Sequence, residues 1–153
     1  MTSKAQPTIL LIPGAFTTPI GSKKTCYDIL LPYLHTLGYA TVVASMPGCN
    51  PSDPSSCTAE KDGAYVVDEY LEPLVKEGKE VIVFAHSSGA TFFGGKRVGG
   101  MLKVNGGENG GVLGIIYISG ALTPDGITQA DYMGGQLPPF CKVDSVGLPW
   151  DLS

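Results

Sequence analysis

The chain has 153 residues, 43% hydrophobic and 16% charged, with 10 basic against 14 acidic residues and a formal charge of -4. That length holds one domain of ordinary size and excludes two sizeable cores. With no basic stripe and an acidic balance, nucleic acid and anionic membrane surfaces are excluded as expected partners.

The opening MTSKAQPTILLIPG carries one short apolar run, Ile9 to Ile12, too brief for a signal-peptide core or a membrane span. A soluble, cytoplasmic protein is the expectation. The run itself, Thr8 to Ile12, reads as the first strand. KTCYDILLPYLHTLG follows, placing Tyr27, Leu30, Leu31, Leu34 and Leu37 on one helical stripe, with Gly38 as its stop. A second strand is predicted over Ala40 to Ser45, then a Pro/Ser-rich loop, PGCNPSDPSSCTAE. The next helix, EKDGAYVVDEYLEPLVKEG, aligns Ala64, Val67, Leu71 and Leu74 and ends at Gly78. Pro32 and Pro73 each remove a backbone donor, so both helices are expected to kink or shorten there.

Glu80 to Ala85 reads as a third strand, Ser88 to about Lys103 as a glycine-weakened helix, and Val112 to Ser119 as a fourth strand after the flexible turn VNGGENGG. The four strand segments are rich in Val, Ile and Leu and scarcely alternate, the pattern of strands covered on both faces. Alternating strands and helices then predict an α/β fold: a mostly parallel sheet of about four strands with flanking helices, residues 1–153 as a single domain with its core at about 7–120. Beyond Gly120 the pattern gives way to loop with at most one short helix over 121–153.

The four cysteines, Cys26, Cys49, Cys57 and Cys141, lack CxxC spacing and a nearby histidine pair, so no zinc site is expected. Free thiols are the plain reading; a Cys49–Cys57 staple is the alternative and would need an oxidising compartment.

Chemistry is concentrated in VIVFAHSSGA, residues 81–90. A serine hydroxyl becomes a nucleophile when a sharp strand-to-helix turn lifts it out of the sheet beside oxyanion donors. Such a turn crowds its neighbours, which is why small residues stand two positions to either side, as in Gly-x-Ser-x-Gly elbows. Ala85-His86-Ser87-Ser88-Gly89 has that spacing, with alanine in the first small position and Ser87 at its centre. Ser88 opens the next helix, so its backbone N–H faces the position where negative charge develops. A second donor is expected from the loop after the first strand, at Ala15 or Phe16 behind Pro13-Gly14. His86 adjoins the nucleophile but should point away from it.

Two competing motifs fail on residue identity. A phosphate loop needs glycine where Ala90 stands and Ser or Thr where Arg97 stands. GGENGG precedes a strand instead of opening a helix, so it is no dinucleotide fingerprint.

TILLIPGAF, GYATVVASMPG, LEPLVKEGKEVIVFAHSSGA and GGVLGIIYISGALTPDG together resemble, over about residues 7–127, the first half of an α/β-hydrolase, in the small fungal and bacterial esterase-like group with a Pro-Gly-Ala turn. The resemblance implies Ser87 as nucleophile, the N–H groups of Ala15 and Ser88 as oxyanion hole, and hydrolysis of a small-molecule ester, thioester or lactone without metal or organic cofactor. It also implies a lid beginning near Gly126 and a place for the triad acid after the fourth strand, at Asp125. Many relatives carry His-Gly where this chain has Pro13-Gly14, a small difference because the donor is backbone.

The larger departure is at the other end, where the family continues for roughly another hundred residues to a catalytic histidine. His35 and His86 are the two histidines here, and neither follows a late strand. The relay is therefore expected to be incomplete, the fold truncated, and the fourth strand left as a sheet edge open to self-association. A non-catalytic binding or interaction module on a hydrolase scaffold is the alternative reading.

Overall fold

The computed structural model describes residues 5–15, 17, 24–49, 51–53, 56–93, 95–103, 110–120, 122, 127, 129–132, 134–135, 142–143 and 149–150. The chain divides into two compact units, Met1–Gly120 and Ala121–Ser153. In the first, β1 (Thr8–Ile12), β2 (Thr41–Val43), β3 (Glu80–His86) and β4 (Gly111–Ile118) form one parallel sheet in the order β2-β1-β3-β4. In the second, the described residues form a short helix, Gln129–Tyr132, and an antiparallel pairing of Lys142–Val143 with Pro149–Trp150. That pairing was not anticipated in a segment read as loop.

Strand β1 is buried along its whole length, as an uninterrupted apolar run between two neighbours requires. Its side chains alternate between two apolar clusters. Leu10 and Ile12 join Ala44, Val81, Val83, Ala85 and Val112 under the long helical segment, while Ile9 and Leu11 meet Leu34 on the opposite face. The second cluster is much the smaller, so one face of the sheet is thinly covered. Ile116 on β4 is 47% exposed there, across from Phe84. Among the described residues strand β4 is the last of the four strands in the sheet; it pairs with β3 and, at Val112, bridges to Leu102, with a register shift opposite Val81 and Ile82 that leaves Leu113 unpaired.

The helices differ from expectation where proline or glycine intervenes. The first, α1, covers only Leu31–Thr36 with Pro32 in its opening turn, because the ring supplies no N–H to carry the helix back toward Asp28. The residues before it form turns closed by Leu30 N–H on the Tyr27 carbonyl and by Thr25 on the Asp28 carboxylate. Leu37, on the predicted stripe, is consequently 63% exposed.

The long segment begins at Thr58, whose hydroxyl accepts from Lys61 N–H and caps α2 (Ala59–Val66). It continues through a π-helical turn, Val67–Leu71, into α3 (Glu72–Lys76). The wide turn, closed by Glu72 N–H on the Val67 carbonyl, lies just ahead of Pro73, where an ordinary ladder would lose a donor. Val66, Val67, Leu71 and Leu74 are buried and Ala64 is not. After β3, α4 (Ser88–Phe92) and α5 (Gly95–Gly100) replace one predicted helix, broken at Phe93 in an extended conformation. Cys26, Cys49 and Cys57 are free thiols, so no Cys49–Cys57 staple forms.

Asp62 is a charged residue on the buried face of α2, only 7% exposed. Its carboxylate accepts the Gly48 N–H at 2.8 Å. Burial raises its pKa, and the Gly48 bond opposes that shift without cancelling it. The folded protein thus holds this proton more tightly than the unfolded chain. Stability from the group is complete below the ordinary aspartate value of about 3.9 and is lost as pH rises through the higher folded value. Asp62→Asn removes that loss, so melting followed by circular dichroism should show the variant gaining on the wild type between about pH 4 and neutrality. Parallel melting curves for the two across that range would contradict the assignment.

Candidate active site

Three loops at the carboxyl ends of the parallel strands build the site, the position at which open α/β sheets place ligands. Ser87 joins β3 to α4 with φ 53° and ψ -125°. A non-glycine residue in such a conformation stores about 1–3 kcal/mol of strain and persists only where its surroundings hold it. Here the Ser87 N–H donates to the Ile118 carbonyl of β4 at 2.9 Å, and the Ser87 carbonyl accepts from Ala90 N–H at 3.0 Å. Both hydrogen bonds fix the bend from opposite sides.

The small residues around Ser87 are demanded by the loop after β1. A Cβ on Gly89 would overlap the Pro13 carbonyl oxygen and stand 2.9 Å from Ile12 Cγ2. On Gly14 it would lie 2.9 Å from Ser87 Cβ and 3.2 Å from Ser87 Oγ. The Ser87 hydroxyl therefore sits against the Pro13-Gly14 turn. That turn is held by Thr17, whose hydroxyl donates to the Gly14 carbonyl at 2.8 Å, with Cys49 Sγ approaching the same oxygen at 4.0 Å.

Ala15 follows Gly14, half-buried, and Ser88 is the first residue of α4. The structure thus brings the β1 loop and the serine elbow together. Asp125, Phe16 and Gly126 lie outside the described residues.

Neither histidine adjoins the site as a base. His35 on α1 shares a 2.7 Å hydrogen bond with Thr41 Oγ1. His86, with the parity of Ile82 and Phe84, packs edge-on against the Tyr27 ring at a centroid distance of 6.2 Å, and its Nδ1 is buried without a protein partner. Tyr27 donates to the Ile12 carbonyl at 3.1 Å. Burial, with Cys26 adding to it, holds the Tyr27 phenol far above its ordinary range, so it stays a donor. Ser88 Oγ is likewise buried and unpartnered.

Sequence reasoning did not single out Tyr27, Gly48, Cys49 or Asp62 as parts of this region. Asp62 lies one turn before Val66, on the face of α2 that is buried, and off the stripe of Ala64, Val67, Leu71 and Leu74 read from the sequence. Among the described residues no three His, Cys, Asp or Glu side chains gather as metal ligands, and no helix is long and apolar enough to cross a membrane.

Because Gly89 abuts backbone on the β1 loop, Gly89→Ala has no flexible side chain to displace. Its expected effect is a loss of about 1–3 kcal/mol, the usual range for overpacking, read by urea unfolding. Gly99→Ala, where an added Cβ meets open space, should be neutral or slightly stabilising in the same assay.

The chain as a whole is similar to known proteins. A model of the alpha/beta hydrolase family matches residues 9–150. Probable hydrolase R7 of Phoma sp. is 30% identical over 131 residues, covering 86% of this chain and 49% of that protein. A crystal structure of PytH_H230A superposes with a TM-score of 0.51 at 25% identity, over 80% of this chain and 43% of that one. The chain thus spans about half the length of the relatives it matches. With the family model covering the sheet, the elbow and the loops around it, the chain belongs to the alpha/beta hydrolase family.

Proposed function

We propose that the chain carries a serine-hydrolase acyl-transfer site in which Ser87 attacks the carbonyl carbon of a small ester, thioester or lactone. The observation that carries this reading is the left-handed φ of 53° at Ser87 on a strand-to-helix bend. Strain of that kind at a serine set between a strand and a helix is a feature of nucleophile elbows. The oxyanion formed on attack is received by the backbone N–H groups of Ala15 and Ser88, the latter at the positive end of α4. The Ser87 proton passes to solvent water, Oγ takes the acyl group through the oxyanion, the alcohol or thiol is released with a proton from solvent (staying tethered when the substrate is a lactone), and water then frees the acid and restores Ser87. Asp125 is the residue proposed as the acid of the relay.

The serine proton has no histidine to receive it within the 153 residues, since His35 bonds to Thr41 and His86 faces Tyr27. Turnover by this chain is accordingly slow, resting on binding and oxyanion stabilisation, which retain part of the rate when a triad member is missing. The same lack of a base favours a second reading, a binding module that keeps the hydrolase scaffold.

A fluorophosphonate probe with peptide mass spectrometry separates the two. The acyl-transfer reading expects covalent labelling at Ser87, lost in Ser87→Ala and unchanged in His86→Ala; a folded chain that takes no label supports the binding module. We further propose that β4 mediates self-association, given Leu113, Ile116, Tyr117 and Ile118 exposed along an uncharged edge strand. Sedimentation velocity should show mass rising with concentration for the wild type and a lone monomer for Ile116→Lys. A concentration-independent monomer in both would dismiss it.

A further inference from the structure

The carboxylate of Asp62 lies inside the protein, with no salt bridge to a basic side chain among the described residues, and what it holds is backbone. Its Oδ1 accepts the N–H of Gly48 at 2.8 Å, and a Cβ on Gly48 would overlap Oδ2, so the loop after β2 is pressed onto the carboxylate. The next residue, Cys49, is 3% exposed and turns its sulfur toward the Gly14 carbonyl at 4.0 Å. Gly14 in turn lies against Ser87 Cβ and Oγ. A continuous path of contacts therefore runs from α2 through the loop after β2 and the turn after β1 to the serine elbow.

From this path we infer that Asp62 is a positioning residue: its carboxylate tethers the Gly48-Cys49 segment, and that segment sets the height of the Pro13-Gly14-Ala15 turn relative to Ser87. The inference rests on the reading of Ser87 as nucleophile. Asp62 touches no substrate and moves no proton of the reaction. It acts by keeping an inward-facing loop N–H satisfied, and an acceptor at this point of α2 is what the geometry requires. Deleting the acceptor leaves the Gly48 N–H unpaired and opens space beneath the loop. The turn over Ser87 then loses its support from below, and displacements near 1 Å at such a turn reduce reactivity by up to about a hundredfold.

The test uses the full 153-residue chain as wild type, Asp62→Ala, Asp62→Asn and Gly48→Ala, each held well below its melting temperature. Gly48→Ala keeps the carboxylate but drives it off the loop, so it serves where Asp62→Ala fails to fold. Two readouts are taken. Alkylation of Cys49 by iodoacetamide under native conditions reports the tether, with exposed Cys26 as the internal reference. Fluorophosphonate labelling of Ser87, resolved into the probe's affinity and its maximal rate of inactivation, reports positioning.

The expected result is Cys49 alkylation raised by roughly tenfold or more in Asp62→Ala and Gly48→Ala, a maximal labelling rate lowered by about tenfold to a hundredfold with affinity unchanged, and both near wild type in Asp62→Asn. Wild-type values of both readouts in Asp62→Ala would overturn the inference. So would an Asp62→Asn variant as impaired as Asp62→Ala, since the amide oxygen can still accept. If the wild type takes no label at all, the nucleophile reading is what fails. Cys49 alkylation then decides the tether alone, and an unchanged rate overturns it.

Discussion

The site depends on one contact: the backbone of the β1 loop laid directly against the serine elbow. Gly89 fits flush against the Pro13 carbonyl and Ile12, and Gly14 fits against Ser87. Close approach without side chains between lets three loops meet at one point, and it also holds the strained φ of Ser87 in place. The hydrogen bond from Ser87 to Ile118 brings β4 into the same junction. Each of β1, β3 and β4 thus contributes backbone to fixing one hydroxyl.

Strand parity decides which polar groups share that junction. Along β3, Val81, Val83 and Ala85 face the large cluster, and Ile82, Phe84 and His86 face the other side. His86 is therefore committed to the Tyr27 face by the pleat before the bend begins, which is why its nearness in sequence to Ser87 gives no nearness in chemistry. The thin apolar cover of that same face, Leu34 with a few half-buried neighbours, leaves the β4 side chains there in solvent.

Much of this architecture was readable in the residues. The first strand agrees at both ends, and the third and fourth agree within a residue at each end, because apolar runs bounded by Pro7 and Pro13, by Gly78 and the Ser87 bend, and by Gly110 and Gly120 leave little choice of boundary. Strand β2 is shorter than read at both ends, Thr41–Val43 within the predicted Ala40–Ser45, although Ala44 N–H still donates to the Leu11 carbonyl of β1. Helix lengths were less legible: whether Pro32 ends a helix or begins one depends on what its neighbours bond to, and the π turn before Pro73 leaves no periodic mark. The elbow was legible because its constraint is local, one small residue on each side of Ser87. The Asp62 tether was not, since its partner is a backbone N–H fourteen positions earlier and no side-chain pattern encodes that pairing.

Three residues in the first unit break the local rules of stability: Ser87 and Ser119 at positive φ, and Asp62, buried with its pKa raised by desolvation. Each is unfavourable where it stands; Asp62 and Ser87 are linked through Gly48, Cys49 and Gly14, and Ser119 directly follows Ile118, whose carbonyl accepts the Ser87 N–H. Departures of this kind tend to gather at functional positions, where geometry is kept at the expense of local preference. At position 62 the geometry asks for an acceptor to the Gly48 N–H, which aspartate and asparagine both supply, so the path accounts for the acceptor and not for its charge. On the reading of Ser87 as nucleophile, this path of contacts ties an unfavourable burial at Asp62 to the position of the hydroxyl.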